Sequence, residues 1–383
     1  MTSKNGGVKM KVQLAKPDIG QKEIDSVVRV MKSGNLSIGP KVEEFEKKIK
    51  DYLGVKHAIA VNSGTSGLHL LIKAYGIKQG DEVITTPFSF VASANCILFE
   101  GARPVFTDIC PQTLNMDIEG IERKINERTK AILAVDVFGN PIDIERLRAI
   151  AGKYHLLLLE DSCEALGSEY KGIKCGSMAD GAVFAFYPNK QITTGEGGMI
   201  VTDNGEIAEL CRSYRSQGRA VTGFWLEHER LGYNYRLNEL NSALGVAQMD
   251  RLDEIIEKRN SVAEKYNTKL RDIKGITIPF ITPGVTKMSW FVYVIRLDKS
   301  IDRNKVMEYL TDNGVSCRPY FTPIHLQPYF RELYGYKEGD FPVTEEVAAS
   351  TIALPFFNDL KDEQIDYVVS VLREGIVKYG CNS

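Results

Sequence analysis

Between residues 20 and 249, seven short β-rich runs (58–61, 82–85, 104–107, 131–135, 156–159, 181–186 and 199–202) alternate with helical patterns such as 42–53. A helical crossover between strands returns the chain so that the next strand runs in the same direction. Repeated strand and helix patterns therefore predict a mostly parallel sheet covered by helices, an α/β fold. The charged stretch 250–269 has a period close to 3.6 and is expected to be a helix connecting two domains. Beyond it, 290–296 reads as a strand and 303–313 as a helix of a smaller α+β domain. The expected division is a polar extension at 1–10, a large domain at 11–249, and the connecting helix with a small domain at 250–383.

Two of the strand-like runs end in chemistry. The run 156–159 leads into Glu160-Asp161, and 181–186 leads into Tyr187-Pro188-Asn189-Lys190. In an open α/β sheet the carboxyl edge of the strands is where ligands bind, so Asp161 and Lys190 can converge there. An acid opposite a lysine is by itself either a structural ion pair or a reactive pair. The glycine-dense turn that follows, Thr193-Thr194-Gly195-Glu196-Gly197-Gly198, lets backbone come close to a bound group. Asn62-Ser63-Gly64-Thr65-Ser66-Gly67 precedes the apolar pattern Leu68, Leu70, Leu71, and so opens a helix. Its free amides, the positive end of the helix dipole, and the hydroxyls of Thr65 and Ser66 favour an anion.

The chain has 383 residues, 43% of them hydrophobic, and a formal net charge of −2. That is enough for a large core, and it argues against both a disordered chain and electrostatic binding to nucleic acid. No run of about 18 apolar residues suggests a membrane span, and residues 1–11 have no apolar core of a signal peptide. The seven cysteines, Cys96, Cys110, Cys163, Cys175, Cys211, Cys317 and Cys381, show no metal-ligand spacing and read as reduced thiols of a cytoplasmic protein.

Over residues 11–375 the chain resembles the DegT/DnrJ/EryC1/StrS family of sugar aminotransferases, fold type I enzymes that use pyridoxal 5′-phosphate (PLP). Besides the 156–198 block, the resemblance rests on SGNLSIGP (33–40), NSGTSGLHLL (62–71), GDEVITTPFSFVASAN (80–95), GARPVFTDI (101–109), LGYNYRLNELNSALGVAQM (231–249) and PYFTPIHLQPYF (319–330). It implies that Lys190 holds the cofactor covalently and, once displaced, moves protons, and that Asp161 pairs with the pyridine nitrogen. It further implies that Gly64, Thr65 and Ser66 receive the phosphate and that the Phe90 ring lies against the cofactor. Asn234 and Arg236, in Gly232-Tyr233-Asn234-Tyr235-Arg236, match a loop that reaches into the neighbouring subunit's site. A homodimer with shared active sites is therefore expected, with Asn234 on the phosphate and Arg236 either a second anion contact or a structural ion pair. Tyr187 and His325 are candidate substrate contacts, His325 being either that or structural. Arg215, Arg219 and Arg230 are either anion contacts or a solvated charge run.

Two positions depart from the family pattern. Ala185 stands where relatives carry a phosphate-binding serine, which leaves Thr193, Thr194 or water to replace the hydroxyl, or a weaker site. Glu164 stands where many relatives have glutamine or histidine near the cofactor's 3′ oxygen. A carboxylate there is expected either to have a raised pKa or to titrate together with the cofactor. Glu-Ala-Leu-Gly at 164–167 resembles members that aminate C4 of the sugar, such as perosamine synthases. The implied reaction passes an amine from glutamate, through the pyridoxamine phosphate form, to a nucleotide-linked keto-sugar, with a 4-keto-6-deoxy hexose favoured. A C3 keto-sugar, a cyclitol ketone and a non-catalytic PLP-binding regulator remain as alternatives. The dehydrase branch of the family has a histidine in place of the lysine, and Lys190 argues against it.

Overall fold

The computed structural model describes residues 10–220 and 227–380. The expected extension 1–10 lies outside these residues except for Met10, as do part of the 212–231 loop and Cys381. The chain opens with α1 (Gln21–Ser33) and α2 (Pro40–Leu53), then β1 (His57–Val61), α3 (Gly64–Ala74), β2 (Glu82–Thr85), α4 (Ala92–Leu98), β3 (Arg103–Phe106), β4 (Thr129–Val135), α5 (Ile144–Tyr154) and β5 (Leu157–Asp161). A short hairpin of β6 (Glu169–Tyr170) and β7 (Ile173–Lys174) leads to β8 (Gly181–Ala185), β9 (Gly198–Thr202), α6 (Gly205–Arg215), α7 (Glu239–Met249) and the long α8 (Leu252–Leu270).

Seven strands form one sheet in the order β1-β9-β8-β5-β4-β2-β3. Pairs from β8 to β3 are parallel, and β9 runs antiparallel to both its neighbours. The sheet is thus mostly parallel, as the alternation requires. Its strands are apolar on both faces because helices cover both. Ile59, Val61, Val183 and Ile200 pack with Leu68, Leu71 and Ile72 of α3 on one face, while Ala58, Ala60, Phe184 and Val201 pack with Phe45, Ile49 and Leu53 of α2 on the other. In α2, those last three residues recur every four positions and so line one stripe, and Pro40 supplies the preset first turn.

A second core lies beyond β10 (Ile276–Thr277) and β11 (Val285–Lys287). It is built on β12 (Tyr293–Leu297), with α9 (Arg303–Asp312), β13 (Thr351–Leu354) and α12 (Asp362–Tyr379), whereas α10 (Pro328–Tyr334) and α11 (Pro342–Ser350) set Phe330 and Val347 into clusters with Phe106 and Phe88. Strands β10, β12 and β13 form an antiparallel sheet. Val262, Tyr266 and Leu270 of α8 pack into this core, while Ile255 and Ile256, earlier in the same helix, pack into the first. The helix therefore connects the two cores.

The strand expected over 290–296 begins only at Tyr293. Trp290 has φ 52°, in the left-handed region. The buried Arg259 of α8 binds the carbonyls of Trp290 and Phe291 at 2.6 and 2.7 Å, so these residues form a held turn before the strand.

Candidate active site

The carboxyl edge of β5 and β8 and the amino end of α3 enclose a cavity of about 560 Å³. This lies within the range typical of small-molecule sites. Asp161, the last residue of β5, is buried. Its Oδ2 accepts a hydrogen bond from Ser93 Oγ at 2.6 Å, and its Oδ1 accepts one from the Cys163 amide at 3.2 Å. Strand alternation sends the preceding Glu160 to the other face, where it accepts from Ser162 Oγ and the Gly176 amide at 2.8 Å each.

Lys190 reaches the cavity from the turn after β8, where its amide bonds the Tyr187 carbonyl at 2.9 Å. Its Nζ lies 3.4 Å from Glu164 Oε1 and 3.7 Å from the centroid of the Phe291 ring. Glu164 Oε2 accepts the Phe138 amide at 2.8 Å. Burial pushes the Glu164 carboxyl above its ordinary range, against the opposing pull of the Lys190 ammonium and the Phe138 amide. Burial also pushes the Cys163 thiol well up, with the Asp161 charge acting the same way, so this cysteine is a protonated wall residue.

The amino end of α3 is shaped for close approach. Ser63 Oγ caps the helix by accepting the Ser66 amide at 3.1 Å, and Gly64 and Thr65 line the cavity. A Cβ on Gly64 would lie 2.8 Å from Ala185 Cβ and 3.0 Å from Cys163 Sγ, so no larger residue fits there without a shift. Gly198 is similarly confined, with Ser63 O at 2.5 Å from where its Cβ would be.

Of the residues expected at the site, Gly64, Thr65, Phe90, Asp161, Glu164, Tyr187 and Lys190 line this one cavity. Ser66 does not. Its hydroxyl turns to Asn62 Oδ1 at 2.6 Å, within the helix start. Thr193 and Thr194 do not replace the missing serine hydroxyl. Thr193 Oγ1 donates to the Phe186 carbonyl at 3.0 Å and Thr194 Oγ1 to the Glu196 carbonyl at 2.7 Å, so both hold the turn. His325 is fully buried outside the cavity, with Nε2 3.1 Å from Glu345 Oε1 and its ring 4.7 Å from Phe341. Burial lowers its pKa.

Asn234 and Arg236 also lie away from the cavity of their own chain. Asn234 is exposed and bridges to Ser216, while Arg236 pairs with the end of β1 and donates to Gln217 Oε1 at 2.6 Å. Arg215 is an ion pair with Glu46 at 2.5 Å, and Arg230 bonds Ser213 and Glu229. Sequence reasoning did not single out Ser93, Phe291, Tyr320 or Phe321. Ser93 and Tyr320-Phe321 sit inside family-like segments, but nothing in the residue pattern around Phe291 marks it.

PLP carries an anionic phosphate, a basic ring nitrogen and an aldehyde. An open helix start beside Gly64, a buried carboxylate and a lysine amine in one cavity match these three groups, and the confined Gly64 leaves room for the first. Bound there, PLP supplies the carbonyl that takes up an amine and a ring that accommodates negative charge.

The DegT/DnrJ/EryC1/StrS aminotransferase family matches residues 17–373. GDP-perosamine synthase of Caulobacter vibrioides is 37% identical over 372 residues, covering 96% of this chain and 99% of that protein. Helicobacter pylori PseC, an aminotransferase involved in the biosynthesis of pseudoaminic acid, superposes with a TM-score of 0.91 at 32% identity, covering 97% of this chain and 100% of that one. The PLP form of the Streptococcus pneumoniae putative sugar aminotransferase Spr1654 gives a TM-score of 0.91 at 27% identity, covering 96% and 99%. The chain belongs to the DegT/DnrJ/EryC1/StrS family and is a PLP-dependent sugar aminotransferase.

Proposed function

We propose that this aminotransferase passes an amino group from glutamate to C4 of a nucleotide-linked 4-keto-6-deoxy hexose. The observation that carries the reading is the convergence of Lys190, Glu164 and Asp161 in one cavity with an aromatic wall. Phe291, Tyr320 and Phe321 line that wall and offer an apolar surface to a deoxygenated carbon. Glu164 opens the Glu-Ala-Leu-Gly pattern that resembles C4-aminating members, and a GDP-perosamine synthase is among the relatives.

Each residue has a defined task. Asp161, fixed by Ser93 and the Cys163 amide, is an acceptor that holds a proton on a ring nitrogen. Lys190 joins the cofactor and, when free, holds the proton in transit at Nζ. Glu164, 3.4 Å from that atom, keeps a negative group beside it or takes up a proton itself. Phe90 and Tyr187 stand at the exposed rim.

Among the described residues, the cavity is lined by Asp161, Glu164 and Glu196 but by only one cationic side chain, Lys190. A sugar diphosphate and the carboxylates of glutamate need more positive charge than this. In our reading a second copy supplies it through Arg236, with Asn234 reaching the phosphate, in a homodimer with shared sites. The reading keeps the division into 11–249 and 250–383, which separates the seven-stranded sheet from the β10-β12-β13 sheet, while β11 pairs back across it with β6.

The test is absorbance of the PLP-loaded protein. Glutamate should bleach the visible band, and one member of a panel of nucleotide-linked 3-keto and 4-keto sugars should restore it. NMR of the product then locates the amine. Recovery with only a 3-keto sugar, or with a ketone lacking a nucleotide, overturns the C4 assignment. Absence of a visible band removes Lys190 from its role.

A further inference from the structure

The wall behind Lys190 is a closed circuit of contacts. Lys190 Nζ faces Glu164 Oε1, Glu164 Oε2 accepts the Phe138 amide, the Phe138 carbonyl accepts the Phe291 amide at 3.2 Å, and the Phe291 ring returns to Lys190 Nζ at 3.7 Å. Phe138 and Trp290, next to Phe291, both have left-handed backbones, with φ of 60° and 52°. Such conformations cost on the order of 1–3 kcal/mol each and persist where surrounding contacts enforce them.

Arg259 enforces one of them. It is 3% exposed, and its described hydrogen bonds go to the Trp290 and Phe291 carbonyls and to Asn358 Oδ1, with no carboxylate among them. A buried guanidinium is costly to desolvate, and here its planar fork fixes the two carbonyls that set the Phe291 ring in place. The Phe356 ring, 5.0 Å from the guanidinium, faces this cation in turn.

We propose that Phe291 is a catalytic-site residue that cradles the free, charged amine of Lys190 on its ring face, and that Arg259 is the positioning residue that aims it. The inference rests on the reading of Lys190 as the reactive amine. The negative face of an aromatic ring attracts an ammonium, and a desolvated site strengthens that attraction. With Glu164 as a second holder, Lys190 has a defined resting place whenever it is not joined to cofactor. The circuit also links that place to α8, the helix that packs into both cores.

The experiment is acetylation of the PLP-free protein by the N-hydroxysuccinimide ester of acetic acid at neutral pH, with Lys190 followed by peptide mass spectrometry and a surface lysine as reference. Phe291→Met nearly keeps the volume but removes the ring. It should raise the Lys190 rate about two- to thirtyfold, the range expected for an exposed to a desolvated ring–ammonium contact. Phe291→Tyr should restore the parent rate. Arg259→Lys keeps the charge without the fork and should move the rate in the same direction as Phe291→Met. If Arg259→Lys does not fold, the Phe291 pair decides. Lys190 reacting at the parent rate in Phe291→Met, or at the raised rate in Phe291→Tyr, overturns the proposal. Failure of the parent protein to take up PLP would strike the transaminase reading instead, and the acetylation rates would still decide whether the ring holds the amine.

Discussion

Glu164 and Asp161 are three residues apart and line one cavity, yet their surroundings divide them. Asp161 is satisfied by two donors, whereas Glu164 has one backbone amide and a lysine 3.4 Å away. Burial raises the Glu164 carboxyl above its ordinary 4.5, so the folded chain binds this proton more tightly than the unfolded chain does. Stability linked to it is complete below about that pH and declines as pH rises through the folded value. Glu164→Gln should therefore flatten the decline in stability of the PLP-free protein above pH 4.5, read from denaturant midpoints across pH. In the loaded enzyme the same substitution should shift the pH at which the visible band titrates, and an unchanged titration would refute coupling between Glu164 and the cofactor. The sequence made this position conspicuous because a carboxylate stood where an amide or imidazole was expected. It could not give the fate of His325, whose burial against Phe341 and Glu345 is decided by packing between segments distant in sequence, where Phe106, Phe330 and Phe341 cluster.

At the scale of elements, the amino end of α3 joins fold to chemistry. Ser63 caps it, Gly64 opens it, and Ala185 stands opposite as the last residue of β8. Ser63→Ala should cost about 1 kcal/mol of stability through the lost cap. Gly64→Val should cost more and also weaken PLP uptake in an equilibrium titration, since its first side-chain atom would already crowd Ala185 and Cys163. Strand positions were legible because both faces of the sheet are covered, which makes the apolar runs continuous. The run read at 131–135 proved to be Thr129–Val135, and that at 199–202 proved to be Gly198–Thr202. The 290–296 segment misled for a physical reason. Trp290 and Phe291 look strand-like in composition, but Arg259, thirty-one and thirty-two positions away, bends their backbone.

For the whole molecule, the shared-site reading predicts complementation. Protomers carrying Lys190→Ala and protomers carrying Asn234→Asp should each be nearly inactive, and refolding them together should restore activity, because one site of the mixed dimer then has both native residues. No gain on mixing would confine the site to a single chain. Among the described residues no helix is long and apolar enough to cross a membrane. The family-like segments made the parts of the site legible, whereas which chain Asn234 serves is not written in its spacing. The antiparallel course of β9 has a consequence in time. Strands β8 and β9 pair as neighbours in sequence, with Ala185 opposite Gly198, so the loop that carries Lys190 closes from local contacts. Asp161 meets Ser93 only when residues 68 positions apart come together. Loop-closure entropy places the local event first, so the lysine is on display before the pocket that will use it exists. Free PLP should accordingly leave the refolding rate unchanged in stopped-flow measurements and stabilise only the finished fold.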